Sequence, residues 1–172
     1  MPVLSLPASI EPFKWADRAA QVAGDVPLAS FPRLCEGLAD QAGTVQVDCR
    51  FERDAQRVPW LRGTLTTSVT LTCQRCLKPM ALPVSVEVEL ALVHDEEDAE
   101  RLSDDADYLV VSEQGLILAE ILEDELLLAI PYIPSHESCE LEYRNPEEPV
   151  GETRRENPFQ VLAALKKPAA DE

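Results

Sequence analysis

Apolar and polar residues alternate along three long stretches in the middle of the chain. The stretches run over 44–52, 60–72 and 84–93. In each of them every second residue is apolar, small or threonine, and the residues between are mostly polar or charged. A period of two is typical of a β-strand that has one face on a core and the other in water. Three such stretches in succession predict an antiparallel meander.

Leucine and isoleucine then recur at helical spacing over 116–130. The apolar face holds Leu118, Ile121, Leu122 and Leu126, and the polar face Glu120, Glu123, Asp124 and Glu125. This spacing predicts the main amphipathic helix, which ends at Pro131 because proline interrupts helical hydrogen bonding. Shorter elements are predicted as a helix over 16–23, a strand over 26–31, a helix over 32–39 and a strand over 108–112. The expected fold class is α+β, a mostly antiparallel sheet covered by one main amphipathic helix.

These elements define a single α+β domain over 1–140, followed by a polar tail over 141–172. Within the domain, the run 95–107 is acidic along most of its length. Like charges repel one another and the run has little apolar surface to bury, so it is predicted to be a mobile, solvated loop.

The polar tail contains one apolar island, which is predicted to be a short helix over 157–167. The island begins with Asn157 and a proline, which suit the first positions of a helix, and it ends with two lysines, which suit the last turn. Phe159 and Leu162 would lie on its apolar face. We expect these two residues to take part in partner binding.

The charge balance narrows the classes of partner. The chain has 32 acidic and 15 basic residues, a formal net charge of -17. Binding to a nucleic acid backbone depends on lysine and arginine, so the overall charge argues against a nucleic-acid-binding protein. It favours a basic protein partner, or an acidic surface that only keeps the chain soluble. Direct RNA binding through a local basic cluster stays an open alternative. The cluster would consist of Arg50, Arg53, Arg57 and Arg62 around one predicted hairpin.

No stretch of the sequence resembles a membrane segment. Spanning a bilayer takes about 20 consecutive apolar residues, and the longest apolar runs here are far shorter. The first eight residues lack the basic start and sustained apolar run of a secretory signal. We therefore expect a cytoplasmic protein with no membrane partner.

Two cysteines three positions apart, Cys73 and Cys76, lie between the second and third alternating stretches. A CxxC motif at a hairpin tip can direct both sulfur atoms toward one metal ion, and thiolates suit Zn²⁺. A structural zinc ion needs four ligands. His136 and Cys139 follow the main helix and are again three positions apart. The four residues form a candidate Cys₃His site for one structural zinc ion.

Two other interpretations of the CxxC motif stay open. Without a metal, the cysteines would be thiols at a hairpin tip that contacts a partner through Gln74 and Arg75. A thioredoxin-like redox motif would open a helix after a strand, whereas this one precedes another alternating stretch, which disfavours redox chemistry. The remaining cysteines, Cys35 and Cys49, lie in apolar patterns and are expected to be small core residues.

The chain carries no recognisable catalytic motif. It has no glycine-rich phosphate loop, no GxSxG and no HExxH. Its two histidines, His94 and His136, lie in no nucleophile–base arrangement that the sequence reveals. A nuclease would also need basic residues beside its metal-binding carboxylates, and the acidic run offers almost none. We therefore expect a protein that is not an enzyme.

Taken together, the motifs resemble those of the YceD family, the large ribosomal RNA subunit accumulation proteins. The matching segments are LTCQRC with a following Lys-Pro at 71–79, EDE leading to LAIP at 123–131, Pro134 with His136 and Cys139, and NPFQVLAALK at 157–166. The resemblance runs from the CxxC motif nearly to the end of the chain, and the N-terminal third matches more loosely.

The resemblance implies a ribosome-biogenesis factor that supports the synthesis, processing or stability of large-subunit (23S) ribosomal RNA. With the acidic composition, it suggests binding to a basic large-subunit ribosomal protein or to a pre-ribosomal particle, with indirect contact to ribosomal RNA. The alternatives are a protein that binds RNA directly and an RNA-processing enzyme. The resemblance supplies no catalytic residues.

Overall fold

Five strands form a single sheet in the part of the chain that the structure describes, residues 4–103 and 106–140 of a computed structural model. The strands are β1 (Gln21–Pro27), β2 (Thr44–Arg53), β3 (Pro59–Thr72), β4 (Pro79–Val93) and β5 (Tyr108–Val110). They lie side by side in chain order, antiparallel except for the parallel pair β4 and β5. The predicted antiparallel meander is therefore confirmed for β2, β3 and β4.

The alternation read from the sequence sets which face of each strand is buried. In β2, Val45, Val47, Cys49 and Phe51 are buried, and the residues between them are exposed or half-buried. Val47 pairs with Leu65 of β3, and both lie in the core. A shift of one residue in this register would turn the apolar face of the strand into water, so the pattern fixes the pairing.

Four α-helices lie in the described residues. They are α1 (Pro12–Asp17), α2 (Pro32–Glu36), α3 (Glu96–Ala99) and α4 (Leu118–Ala129). The helix α4 confirms the helix predicted over 116–130, and its Leu118, Leu122 and Leu126 are buried in the core. None of these helices combines the length and apolar character needed to cross a membrane, within the described ranges.

The predictions for the first thirty residues were wrong. The segment predicted as a helix over 16–23 instead contains the end of α1 and the start of β1, and the segment predicted as a strand over 26–31 ends in a 3-10 turn. The physical reason is pairing with β2, which supplies hydrogen bonds to Gln21–Pro27 along its length. Val22 and Val26 are buried on one face, a period of two that the helix prediction overlooked.

The acidic run begins with one turn of helix. Asp95 accepts a hydrogen bond from the backbone N–H of Asp98 at 2.9 Å and so caps the one-turn helix α3. Such a cap satisfies one of the free N–H groups at a helix start. The mobility of the rest of 95–107 stays a prediction. The predicted tail over 141–172, with its helix over 157–167, lies outside the described residues.

Glu123 was predicted on the polar face of the main helix, and this was wrong because its side chain is only 3% exposed. One carboxylate oxygen accepts from the backbone N–H of Leu34 at 3.0 Å, and the other accepts from Nε of Arg33 at 2.8 Å. Both partners belong to the first turn of α2, whose N-terminus has no side-chain cap from the preceding residue. A buried carboxylate can be kept in a core only with such partners. Glu123 therefore joins α4 to α2.

Gly63 of β3 lies opposite Cys49 of β2 where the two strands come close. A Cβ atom at position 63 would lie 2.5 Å from Cα of Cys49 and would also meet the carbonyl oxygen of Asp48. Since these are backbone atoms, the strands would have to move apart. We expect Gly63→Ala to lower the free energy of unfolding by about 1–3 kcal/mol. Urea unfolding followed by circular dichroism measures this loss.

Gly37→Ala is the matched control for this substitution. The nearest atom to its added methyl group would be 3.7 Å away, and Gly37 has ordinary helical backbone angles. Its free energy of unfolding should be unchanged or slightly higher. Equal stability of Gly63→Ala and the wild type would contradict the close approach of β2 and β3.

Candidate metal centre

The turn between β3 and β4 presents the CxxC motif. The backbone N–H of Cys73 donates to the carbonyl of Lys78 at 3.0 Å, and the N–H of Leu77 donates to the carbonyl of Cys73 at 2.9 Å. Leu77 closes the turn with a φ of 60°, in the left-handed region. These bonds fold the chain back on itself within six residues. Cys73 is fully buried at the base of the turn, and Cys76 is half-buried.

The second pair of candidate ligands comes from the segment that follows α4. The helix ends at Ala129, and Ile130 is already extended, as expected for a residue before a proline. The backbone N–H of Gln74 then donates to the carbonyl of Pro134 at 2.8 Å. This bond anchors the segment on the hairpin, so that His136 and Cys139 arrive beside the CxxC motif.

The four predicted ligands, Cys73, Cys76, His136 and Cys139, do come together. Their donor atoms all lie within 4.8 Å of one another. Sγ of Cys73 is 3.7 Å from Sγ of Cys139, and Sγ of Cys76 is 3.4 Å from Nδ1 of His136. Around a tetrahedral zinc ion with ordinary bond lengths, two sulfur ligands lie about 3.8 Å apart, and a sulfur and a nitrogen about 3.6 Å apart. Two edges of the ligand set thus already have the dimensions of a zinc site.

The thiols of Cys73 and Cys76 differ in pKa. Burial raises the pKa of Cys73, but backbone N–H groups, first that of Cys76 and then those of His136 and Arg75, lower that pKa to about 5. For Cys76 the N–H of Lys78 lowers the pKa, and burial with the neighbouring thiols of Cys73 and Cys139 raises it above its ordinary value. Thiolates this close repel one another. A divalent cation between them would remove the repulsion.

Arg75 lies between the two halves of the site. Its Nε donates to Sγ of Cys139 at 2.9 Å, and its Nη2 donates to the carbonyl of His136. The bond to Cys139 is the main cause of the raised pKa of the arginine. The sequence suggested Arg75 and Gln74 as partner contacts, and this stays a prediction. In the structure the side chain of Gln74 donates to the carbonyl of Thr72, outside the four ligands. The sequence analysis considered Arg75 only as a partner contact, although its position between Cys73 and Cys76 was a signal for a role within the site.

Cys35, Cys49 and the arginines of the suggested basic cluster are not part of this group of four ligands. Cys35 and Cys49 are buried, which confirms them as core residues. Three of the four arginines of the suggested basic cluster are ion-paired: Arg50 with Glu52, Arg53 with Asp17, and Arg62 with Glu52 and Glu89. Their charge is offset by neighbouring carboxylates, which weakens the case for an RNA-binding patch. Phe159 and Leu162 lie outside the described residues.

Fold and site together define a small mixed α/β protein with a candidate Cys₃His metal centre that links a hairpin tip to the segment after the main helix. The family model described as large ribosomal RNA subunit accumulation protein YceD matches residues 61–166. The chain therefore belongs to the YceD family.

A relative with the same description, from Haemophilus influenzae, is 31% identical over 172 residues. That match covers 96% of this chain and 99% of the relative. No solved structure matches the chain significantly. The matched range contains the four candidate ligands of this chain.

Proposed function

We propose that the protein is a non-enzymatic ribosome-biogenesis factor that supports the accumulation of large-subunit (23S) ribosomal RNA. Membership of the YceD family is the observation that carries this proposal, because the family is named for that role. The factor would act on the synthesis, processing or stability of the RNA, in the cytoplasm. Its direct partner would be a basic large-subunit ribosomal protein or an assembly intermediate, with the RNA reached indirectly.

The charge distribution supports protein binding over direct RNA binding. The formal net charge of -17 repels phosphate, and the arginines of β2 and β3 are ion-paired with acidic side chains. Binding to a nucleic acid backbone needs free cations that replace its counterions. A ribosomal protein is basic and would be attracted by the same charge. An acidic factor could therefore hold such a protein until its place on the RNA is ready.

We further propose that Cys73, Cys76, His136 and Cys139 hold one structural zinc ion. Four protein ligands close the coordination sphere, whereas a catalytic zinc site keeps one position open for water or substrate. The ion would tie the β3–β4 turn to the segment after α4, and so reinforce the hydrogen bonds that Gln74 and Arg75 make between them. The tied region would then present a fixed surface to a partner.

A pull-down from cell lysate tests the proposed partner class. The tagged full-length protein is used as bait, with and without ribonuclease, and the retained proteins are identified by mass spectrometry. We expect basic large-subunit ribosomal proteins to stay bound after digestion of the RNA, since the contact is with protein. An unrelated bait of similar acidity controls for charge alone. Loss of every ribosomal protein on digestion would instead indicate direct RNA binding and contradict the proposal.

A further inference from the structure

Four large apolar side chains are exposed beside the candidate metal centre. They are Leu77 at 69%, Leu128 at 81%, Tyr132 at 98% and Ile133 at 67%. Leu77 belongs to the β3–β4 turn, and the other three to the last turn of α4 and the residues just after it. The hydrogen bond between Gln74 and Pro134 joins these two segments. We refer to the four side chains together as the tip surface.

The tip surface is unfavourable for an isolated protein. These side chains leave most of their apolar surface in water, and large exposed apolar groups near one another often mark an interaction site. Leu77 adds a second disadvantage, because a left-handed backbone angle costs a residue with a Cβ atom about 1–2 kcal/mol. Glycine or asparagine would fit that position more easily. The turn nevertheless holds a leucine there and directs it into water.

The surroundings of the tip surface are negatively charged. Glu125 lies one helical turn before Leu128, and Glu137 and Glu140 are exposed close to the ligands His136 and Cys139. Asp124, in the same turn of the helix as Glu125, is ion-paired with Arg33. The pKa of Glu125 is raised, first by burial and then by the negative charges of Asp107 and Asp124. Arg75 is engaged by Cys139. A zinc ion bound by three thiolates would leave one negative charge, which the guanidinium of Arg75 beside Cys139 would offset.

We propose that the tip surface docks a basic segment of a protein partner that carries large apolar side chains between its lysines and arginines. The apolar side chains would pack on Leu128, Tyr132 and Ile133, and the cations would pair with the surrounding carboxylates. This inference rests on the proposed function and names the surface that performs it. A second copy of the chain and an RNA both bring negative charge to a negative surface, so neither fits as well.

The test compares two double variants of the full-length protein. The first, Tyr132→Ser with Ile133→Ser, removes half of the tip surface. The second, Tyr108→Ser with Ile117→Ser, removes the same residue types from other exposed positions. Ile117 precedes the first turn of α4 and Leu128 lies in its last turn, about 16 Å apart at 1.5 Å per residue. The two variants therefore differ in place and not in chemistry.

Binding is measured by fluorescence anisotropy with two labelled synthetic peptides of equal length and charge. One peptide is built from lysine and leucine, and in the other serine replaces leucine. We expect the wild type and the Tyr108/Ile117 variant to bind the lysine–leucine peptide equally. The Tyr132/Ile133 variant should bind it at least about 10-fold more weakly, as expected when central aromatic and aliphatic contacts are lost. The lysine–serine peptide should bind weakly to all three proteins.

Several results would overturn the proposal. If both double variants bound the lysine–leucine peptide equally, the tip surface would not be its binding site. If the two peptides bound equally, the interaction would depend on charge alone. Binding of a single-stranded RNA oligonucleotide, or self-association in the ultracentrifuge, that is lost in the Tyr132/Ile133 variant would assign the surface to RNA or to a second copy. Melting temperature and zinc content verify folding, and Leu128→Ser is the replacement variant if the double substitution misfolds.

The pull-down separates failure of this inference from failure of the proposed function. If the Tyr132/Ile133 variant retains basic ribosomal proteins as well as the wild type does, the tip surface is not the docking site, although the proposed function stands. If the wild type retains none, the proposed function fails and this inference fails with it.

Discussion

Replacing Cys73 with serine is expected to remove the bound zinc ion and to loosen the hairpin tip and the segment after α4 together. Cys73 is fully buried, and its sulfur lies 3.7 Å from that of Cys139, so its loss removes one corner of the ligand set. Metal binding to the folded state alone adds to folding stability. With free zinc a thousandfold above its dissociation constant, the loss is about 4 kcal/mol. Zinc analysis of protein purified without chelator, with thermal unfolding, measures both effects.

Cys35→Ser is the matched control. Cys35 is also buried, and its sulfur lies 3.2 Å from the carbonyl of Leu28, a contact that a serine hydroxyl can reproduce. This variant should keep its zinc and nearly all of its stability. A chelator should lower the melting temperature of the wild type and of Cys35→Ser, and leave that of Cys73→Ser unchanged. Little zinc in the wild type, together with an unchanged melting temperature of Cys73→Ser, would rule out a structural metal.

The middle of the fold was predictable because its signal is local. Side chains of a strand alternate between its two faces whatever the strand pairs with, so Thr44–Arg53 and Pro59–Thr72 could be read directly from the sequence. Gln21–Pro27 could not be read in this way. Its short pattern suits several structures, and pairing with β2 decides among them. The strand predicted over 108–112 is present as β5, but its parallel pairing with the edge of β4 depends on the connection through the acidic run and could not be predicted.

The four residues of the candidate metal centre could be predicted from the sequence, but the contacts that bring them together could not. Spacing and residue type pointed to both pairs as candidate ligands, since cysteine and histidine are the side chains that structural zinc sites use. Spacing alone could not show that Gln74 would bind the carbonyl of Pro134 and bring the second pair to the first. The contact of Arg75 with Cys139 also depends on the folded chain. These contacts join residues that are about sixty positions apart in the sequence.

Glu123 was misassigned for a similar reason. Helical periodicity separates apolar from polar positions and treats every carboxylate as a solvent-facing group. A carboxylate can instead be buried when a neighbouring element offers it donors, and α2 offers a backbone N–H and a guanidinium. The acidic segment 123–125 that matches the YceD family is thus partly a structural feature of the core.

Glu123→Ala is expected to lower the free energy of unfolding by about 2–3 kcal/mol, since it leaves the N–H of Leu34 without a partner in the core and breaks an ion pair whose carboxylate is buried. The loss stays in this range because Arg33 is half-exposed and water can solvate its guanidinium. Urea unfolding measures it, and the separation of α4 from α2 should appear as faster amide exchange at Leu34.

Asp124→Asn separates the buried contact from simple charge. Asp124 pairs with the same arginine at 2.7 Å, but both side chains of this pair are about half exposed. Exposed ion pairs are worth less than about 1 kcal/mol, so this variant should lose little stability. Glu123→Gln should lie between the two, because its amide oxygen can still accept from Leu34 while the charge facing Arg33 is gone. If Asp124→Asn lost as much stability as Glu123→Ala, the effect would arise from surface charge, and Glu123 would not be the residue that holds α4 against α2.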